Sequence, residues 1–271
     1  MPRTRARGGA ATTLRAPETM LRTAPLQAIT FDLDDTLWDN HGVMVATETG
    51  HYGWLDRELT GWLNARGQPA SPSFGERFPL EAFEQRRRAL ARAHPLRRGD
   101  FTWLRERALR EMLGEYGLDP ASARLWASAA MERFMELRHR VEPHPEVEPL
   151  LAGLSRNYRL ASITNGNVEV QRLPLGRHFP VAIAAGEMLA PKPDPRPFLA
   201  ALAHLGIPPG RALHVGDSWR EDVEPARRLG MQVAWISPHV DTSPMPPHIY
   251  RLDHVRELPA LLRRLGQKVP Q

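Results

Sequence analysis

The chain contains no cysteine. That excludes disulfide stapling and thiolate catalysis, and it fits a reducing compartment, here read as the cytoplasm. Lysine is nearly absent as well: of 36 basic residues, only Lys192 and Lys268 are lysines. Arginine is a wide planar fork, whereas lysine is a compact ammonium on a slim stem. A lysine inside "LAPKPDPRPF" therefore asks what arginine could not do there. No apolar run approaches the roughly eighteen residues of a membrane span, so no membrane association is expected. The apolar core of a secretory leader is missing from the first residues too.

The net charge of +5 suggests a polyanionic partner until it is located. Arg3, Arg5, Arg7, Arg15 and Arg22 against Glu18 place +4 of it in residues 1–25 and leave the rest near neutral. A segment of this composition is read as a disordered basic tail or an over-extended start of the reading frame. An Arg-rich, acid-poor transit peptide is the lesser reading. A nucleic-acid role would rest on this tail alone, and none is expected. The 42% hydrophobic content is ordinary for a globular protein with a sizeable core.

Two textures alternate along the chain. Gln27 to Leu33 reads as a short buried strand. From there to residue 140 the pattern is helical. "FEQRRRALARA" and "TWLRERALREMLGEYGL" repeat at helical spacing, and Asp119-Pro120 opens "ASARLWASAAMERFMELR". Past Val141, strands ("RLASITN", "VAIAAG", "RALHVGD", "MQVAWIS") alternate with helices ("PEVEPLLAGLSRNY", "PRPFLAALAHLGI", "DVEPARRLG"). That alternation predicts a parallel sheet covered on both faces. "LPALLRRL" reads as a closing helix. The expected fold is α/β: a Rossmann-like parallel core from residues 26–40 and 141–265, with an inserted all-helical module over 41–140.

Ligands of parallel α/β sheets bind beyond the carboxyl ends of the strands. At those ends stand Asp32, Asp34 and Thr36; Thr164, Asn165 and Gly166; Lys192; and Asp217 and Asp222. Carboxylates, a hydroxyl and one lysine converge, with no histidine or cysteine among them. "DLDDT", "SITNGN", "PKPDP" and "HVGDSWREDV" resemble, in order, the four motifs of the haloacid dehalogenase-like (HAD) hydrolase superfamily. The helical insertion after the first motif resembles that family's cap. "ITFDLDDTLWDN", "ITNGN" and "LHVGD" further resemble the bacterial phosphatases acting on flavin mononucleotide and on the phosphorylated ribitylaminouracil of riboflavin biosynthesis.

The resemblance implies a Mg²⁺-dependent phosphatase acting on a small phosphorylated metabolite. Asp32 would be the nucleophile that forms an aspartyl phosphate. Asp34 would project to the same side as Asp32 if the strand persists, and would serve as acid and then base. Asp32, the main-chain carbonyl of Asp34 and Asp217 would hold Mg²⁺, with Asp222 behind them or as a further ligand. Thr164, the amides of Asn165 and Gly166, and Lys192 would bind the phosphoryl oxygens.

Other residues read more plainly. Asp35 is expected to be solvated or to cap a turn, and Asp39 and Asn40 to cap the start of the helical module. His214 is read as a packed core histidine, and Trp103, Trp126 and Phe134 as core of the helical module. Arg105 and Arg107 are read as helix-surface charge. The alternatives are a phosphatase or phosphomutase acting on a sugar phosphate or other small metabolite, a dehalogenase, and a non-catalytic binding module. A dehalogenase would need neither Asp34 nor a metal. Oligomeric state is not legible.

Overall fold

The computed structural model describes residues 25–68, 71–238 and 244–269, so the expected basic tail lies, but for Pro25, outside the described residues. Six strands form one sheet: β1 (Ala28–Phe31), β2 (Arg159–Thr164), β3 (Val181–Ala184), β4 (Ala212–Gly216), β5 (Gln232–Ile236) and β6 (Ile249–Leu252). All neighbours are parallel, in the order β3-β2-β1-β4-β5-β6. The strand β6 at the edge was not anticipated. Four residues of "IYRL" behind a Pro-rich segment carry little strand signal on their own.

The central strands are short apolar runs because both faces are covered. Ile29 and Phe31 of β1 point into a cluster with Val147, Leu150, Leu151, Leu258 and Leu262. Those partners come from α6 (Val147–Leu154) and α9 (Leu258–Arg264). The alternate residue Ala28 faces a second cluster holding Phe198, Ala201, Leu202 and Ala226. These belong to α7 (Arg196–Leu205) and α8 (Glu224–Arg228). The period of two along the strand thus separates two cores, one per face.

Between β1 and α6 the chain runs through five helices: α1 (Asn40–Asn64), α2 (Phe74–Arg77), α3 (Leu80–Ala93), α4 (Phe101–Tyr116) and α5 (Pro120–Arg138). Their boundaries follow cap chemistry. Asp39 accepts the His41 N–H to start α1, Asp100 accepts that of Trp103 to start α4, and Asp119 accepts those of Ala121 and Ser122 ahead of Pro120. These helices bury a hydrophobic cluster of their own, built on Leu55, Leu59, Phe83, Leu109, Met112 and Phe134. Trp103 and Trp126 pack on its rim. A separate apolar core is the physical reason this stretch reads as a module in the sequence.

Phe31 is level with Ser162 of β2 and Val215 of β4. The next residue, Asp32, donates its N–H to the Val215 carbonyl at 2.8 Å. The carboxyl ends of β1, β2 and β4 therefore lie side by side, β2 and β4 running on past the level of Phe31 to Thr164 and Gly216. That is the point where the strand order turns back, the place at which such sheets hold ligands.

Candidate active site

Strand β1 ends one residue before Asp32, and Asp35 adopts φ 59° in the turn that follows. Asp32 and Asp34 line the same cleft but bond to different partners. Lys192 Nζ donates to Asp32 Oδ1 and to Asp222 Oδ1, both at 2.6 Å, and the lysine side chain is 2% exposed. Asp34 instead accepts from the Trp38 indole at 2.9 Å and from Arg138 Nη2 at 2.6 Å to each carboxylate oxygen.

Asp222 reaches the strand end through a single π turn, Trp219–Val223, started by the Ser218 side chain accepting the Glu221 N–H. Such turns recur at functional sites because the widened coil aims one side chain inward. A Cβ at Gly216 would lie 2.4 Å from the Asp222 carboxyl carbon, so glycine at the end of β4 makes room for it. The Ser218 N–H donates to Asp222 Oδ2 at 3.0 Å.

Lys192 is held from behind by Asn165. The Lys192 N–H donates to Asn165 Oδ1 at 2.7 Å, and Asn165 Nδ2 donates to the Lys192 carbonyl at 3.1 Å and to Glu221 at 2.8 Å. The Asn165 side chain is thus spent on locating the lysine. Thr164 Oγ1 accepts the Gly166 N–H at 2.9 Å. That amide, expected to meet a phosphoryl oxygen, is engaged inside the turn.

The electrostatics follow from burial. Asp32, Asp217 and Asp222 bring carboxylate oxygens within 4.8 Å of one another. Burial and repulsion from Asp222 push Asp217 up to about 6. Asp32 is raised by burial and by Asp222 and Asp217, against the pull of Lys192. Burial opposes charge on Lys192 and Asp222 as well, yet their mutual attraction holds the lysine above and the carboxyl below its ordinary range. His214 is depressed by burial and stays neutral near pH 7. Three carboxylates therefore face one ammonium, and a hard divalent cation would neutralise the surplus. An all-oxygen, crowded and under-neutralised cluster fits Mg²⁺. The Asp34 side chain lies outside this cluster.

The plainer readings divide. Asp35 Oδ1 accepts the Asn40 N–H at 2.9 Å, and Asp39 caps α1, as expected. Arg107 pairs along its helix with Glu111 at the surface. His214 is fully buried, but it also bridges Thr30 (2.8 Å) and Asp222 (3.1 Å). Arg105 is a correction: it is 6% exposed and ion-paired at 2.7 Å to Glu48, which Arg87 shares at 2.9 Å. Two arginines share the Glu48 carboxylate, which leaves the trio one positive charge in excess, and burial lowers Arg105 to about 10. A helical wheel of α4 places Arg105 beside Leu104 and Ala108 but cannot show Glu48 on α1. Arg138 was missed altogether; nothing in "MELRHRV" distinguishes it from its neighbouring arginines.

These residues line a cleft of about 370 Å³ between the strand ends and the helical module. Asp32, Lys192 and Asp217 form its floor, and Met44, Arg87, Phe101 and Arg105 stand opposite. The volume suits a small metabolite. The sequence pattern of haloacid dehalogenase-like hydrolases matches residues 26–230. The 5-amino-6-(5-phospho-D-ribitylamino)uracil phosphatase YigB of Escherichia coli (strain K12) is 34% identical over 79% of this chain and 84% of its own. A phosphoserine phosphatase of Thermus thermophilus is 39% identical over 65% of this chain and 67% of its own. A 2-haloacid dehalogenase from Pseudomonas syringae superposes with a TM-score of 0.77 at 32% identity, covering 88% of this chain and 99% of that one.

Proposed function

Because this chain belongs to the haloacid dehalogenase-like hydrolases and is a phosphomonoesterase of that family, we propose that it acts through an aspartyl phosphate on Asp32 with Mg²⁺. The proposed ester is the phosphorylated ribitylaminouracil precursor of riboflavin, or flavin mononucleotide. The relative from Escherichia coli supports the first of these. The observation that carries the mechanism is Lys192 Nζ, 2.6 Å from both Asp32 and Asp222, beside a third carboxylate of the same cluster. This arrangement holds the Asp32 carboxyl still; lysine pulls against the rise that burial causes, a bound cation would favour the ionised nucleophile further, and lysine offers positive charge to the phosphoryl oxygens.

Asp32, Asp217 and Asp222, with the Asp34 carbonyl, would hold Mg²⁺, which spreads charge over the phosphoryl group when bound. The side chains divide the remaining work. Thr164 and the Asn165 amide orient the phosphoryl group. Asp34 gives a proton to the leaving oxygen and later takes one from water. His214 buttresses Asp222. The helical module, residues 41–140, would act as the cap that selects the ester, over a core of 26–40 and 141–265.

Dehalogenation is the competing chemistry, prompted by the Pseudomonas syringae likeness. It needs a nucleophilic carboxylate but neither the acidic cluster nor Asp34, and both are present here. The reading also assigns the enzyme to the cytoplasm. Among the described residues no helix is long and apolar enough to cross a membrane.

The test is phosphate release from a panel of phosphomonoesters, flavin mononucleotide included, with and without Mg²⁺, for wild type and Asp32→Asn. Metal-dependent release abolished by the substitution is expected. Halide release from a 2-haloacid without phosphate release from any ester would overturn the proposal.

A further inference from the structure

Asp34 sits between the two points where the chain passes between sheet and helical module. On the outgoing side, four residues on, the Trp38 indole donates to Asp34 Oδ1 at 2.9 Å. On the returning side, Arg138 closes α5 and donates Nη2 to both Asp34 oxygens at 2.6 Å. The Arg138 side chain is 1% exposed and that of Asp34 17%. A guanidinium so deeply buried costs free energy unless it is paired, and a cation is favoured at a helix carboxyl end. Asp34 is the one carboxylate that Arg138 bonds among the described residues.

The opposite side of Asp34 is just as constrained. A Cβ on Gly166 would lie 2.5 Å from Asp34 Oδ2, 3.2 Å from Arg138 Nη2 and 3.2 Å from Thr164 Oγ1. The carboxylate is therefore clamped between Arg138 and the turn after β2, the turn read as orienting the phosphoryl group. Other contacts also seat the end of α5 on the core: the Glu169 N–H donates to His139 Nε2 at 3.0 Å.

Resting on the phosphatase reading, we propose that Arg138 is a positioning residue: it fixes Asp34 against the phosphoryl-binding turn, so that proton transfer depends on the end of α5 being seated. In the first step an Asp32 oxygen bonds to phosphorus, the phosphorus–oxygen bond to the leaving group breaks, and that oxygen takes the Asp34 proton. In the second a water oxygen bonds to phosphorus, its proton goes to Asp34, and the bond to Asp32 breaks. Of the groups that take part, Arg138 bonds Asp34 alone; it sets where Asp34 stands in both steps. A single guanidinium nitrogen, Nη2, reaches both Asp34 oxygens, and among the described residues Nε and Nη1 of Arg138 find no partner, so this one nitrogen does the positioning.

The experiment compares Arg138→Gln and Arg138→Lys with wild type on two esters, an alkyl phosphate and p-nitrophenyl phosphate, with Mg²⁺ present. An alkoxide leaves poorly without a proton, so kcat on the alkyl ester should fall about 100-fold in Arg138→Gln while KM stays within about threefold. Nitrophenolate leaves without help, so the first step survives on the aryl ester. The second step still needs Asp34 as base. A pre-steady-state burst of nitrophenolate approaching one equivalent should appear in the variant and be absent in wild type. Arg138→Lys should show the same split with a smaller loss, and it alone decides the matter if Arg138→Gln does not fold. Equal losses on both esters without a burst, or no loss on either, would overturn the positioning role. A wild-type enzyme that cleaves neither ester, nor any in the panel, overturns the phosphatase reading itself and this inference with it.

Discussion

Lys192 stands where arginine would not fit, in a chain that otherwise uses arginine for almost every positive charge. Its ammonium lies between two carboxylate oxygens at 2.6 Å each, with 2% of the side chain exposed. A guanidinium is broader and flat, and it would have to push Asp32 or Asp222 aside. Lys192→Arg should therefore lower stability by about 1–3 kcal/mol, the usual cost of overpacking. It should also cut kcat about 100-fold, because the displaced groups are those that meet the phosphoryl charge. Urea unfolding and phosphate-release kinetics on the same preparation check both, and a fully active arginine variant would refute the steric assignment. The lysine's rarity made it conspicuous in the sequence. Asn165, which holds its loop, was legible only as part of a motif.

At the scale of elements, the connection Pro95–Asp100 between α3 and α4 rests on the loop after β3. A Cβ at Gly186 would lie 1.9 Å from the Gly99 carbonyl oxygen, a backbone atom that cannot turn away. Gly186→Ala would have to lift this part of the helical module off the core. Misplacement by about 1 Å costs up to about 100-fold when reacting groups are held from two bodies. We expect kcat/KM to fall by at least tenfold while the circular dichroism spectrum is unchanged. Wild-type kinetics in the variant would show that the contact does not set the alignment. The five helices themselves were readable from their spacing and caps, since each follows local rules. Their inward ion pairs were not: Glu48, Arg87 and Arg105 come from three different helices.

The whole molecule places an acidic cluster in a cleft between two separately packed cores, and its stability should depend on metal and pH together. Burial and Asp222 raise the Asp217 carboxyl to about 6 from an ordinary 3.8. In the metal-free protein the folded state therefore holds this proton longer than the unfolded chain. Stability contributed by that group is present below the unfolded value and is lost as pH rises towards 6. A cation needs the ionised form, so Mg²⁺ should restore most where the loss is complete. The increase in Tm on adding Mg²⁺ should be larger at pH 7 than at pH 5, as read by thermal unfolding. An equal increase at both would argue against binding at the carboxylate cluster.

Local pattern and chain order were enough to settle the parallel strands other than the edge strand β6, from short apolar runs, and the helices, from spacing and caps. They also settled which carboxylates, hydroxyl and lysine stand at strand ends. Register then delivered Asp32, Thr164 and Asp217 to within about one residue of the same height, where the strand-end rule places ligands. Features that need partners far apart in the chain were settled only on folding. Asp34 acquired Arg138, 104 residues away, as its partner. His214 became the neighbour of Asp222, and Arg105 went inward to Glu48. A side chain's direction at a turn, and whether a charge is buried, depend on free energies of pairing and desolvation that exist only once distant segments meet.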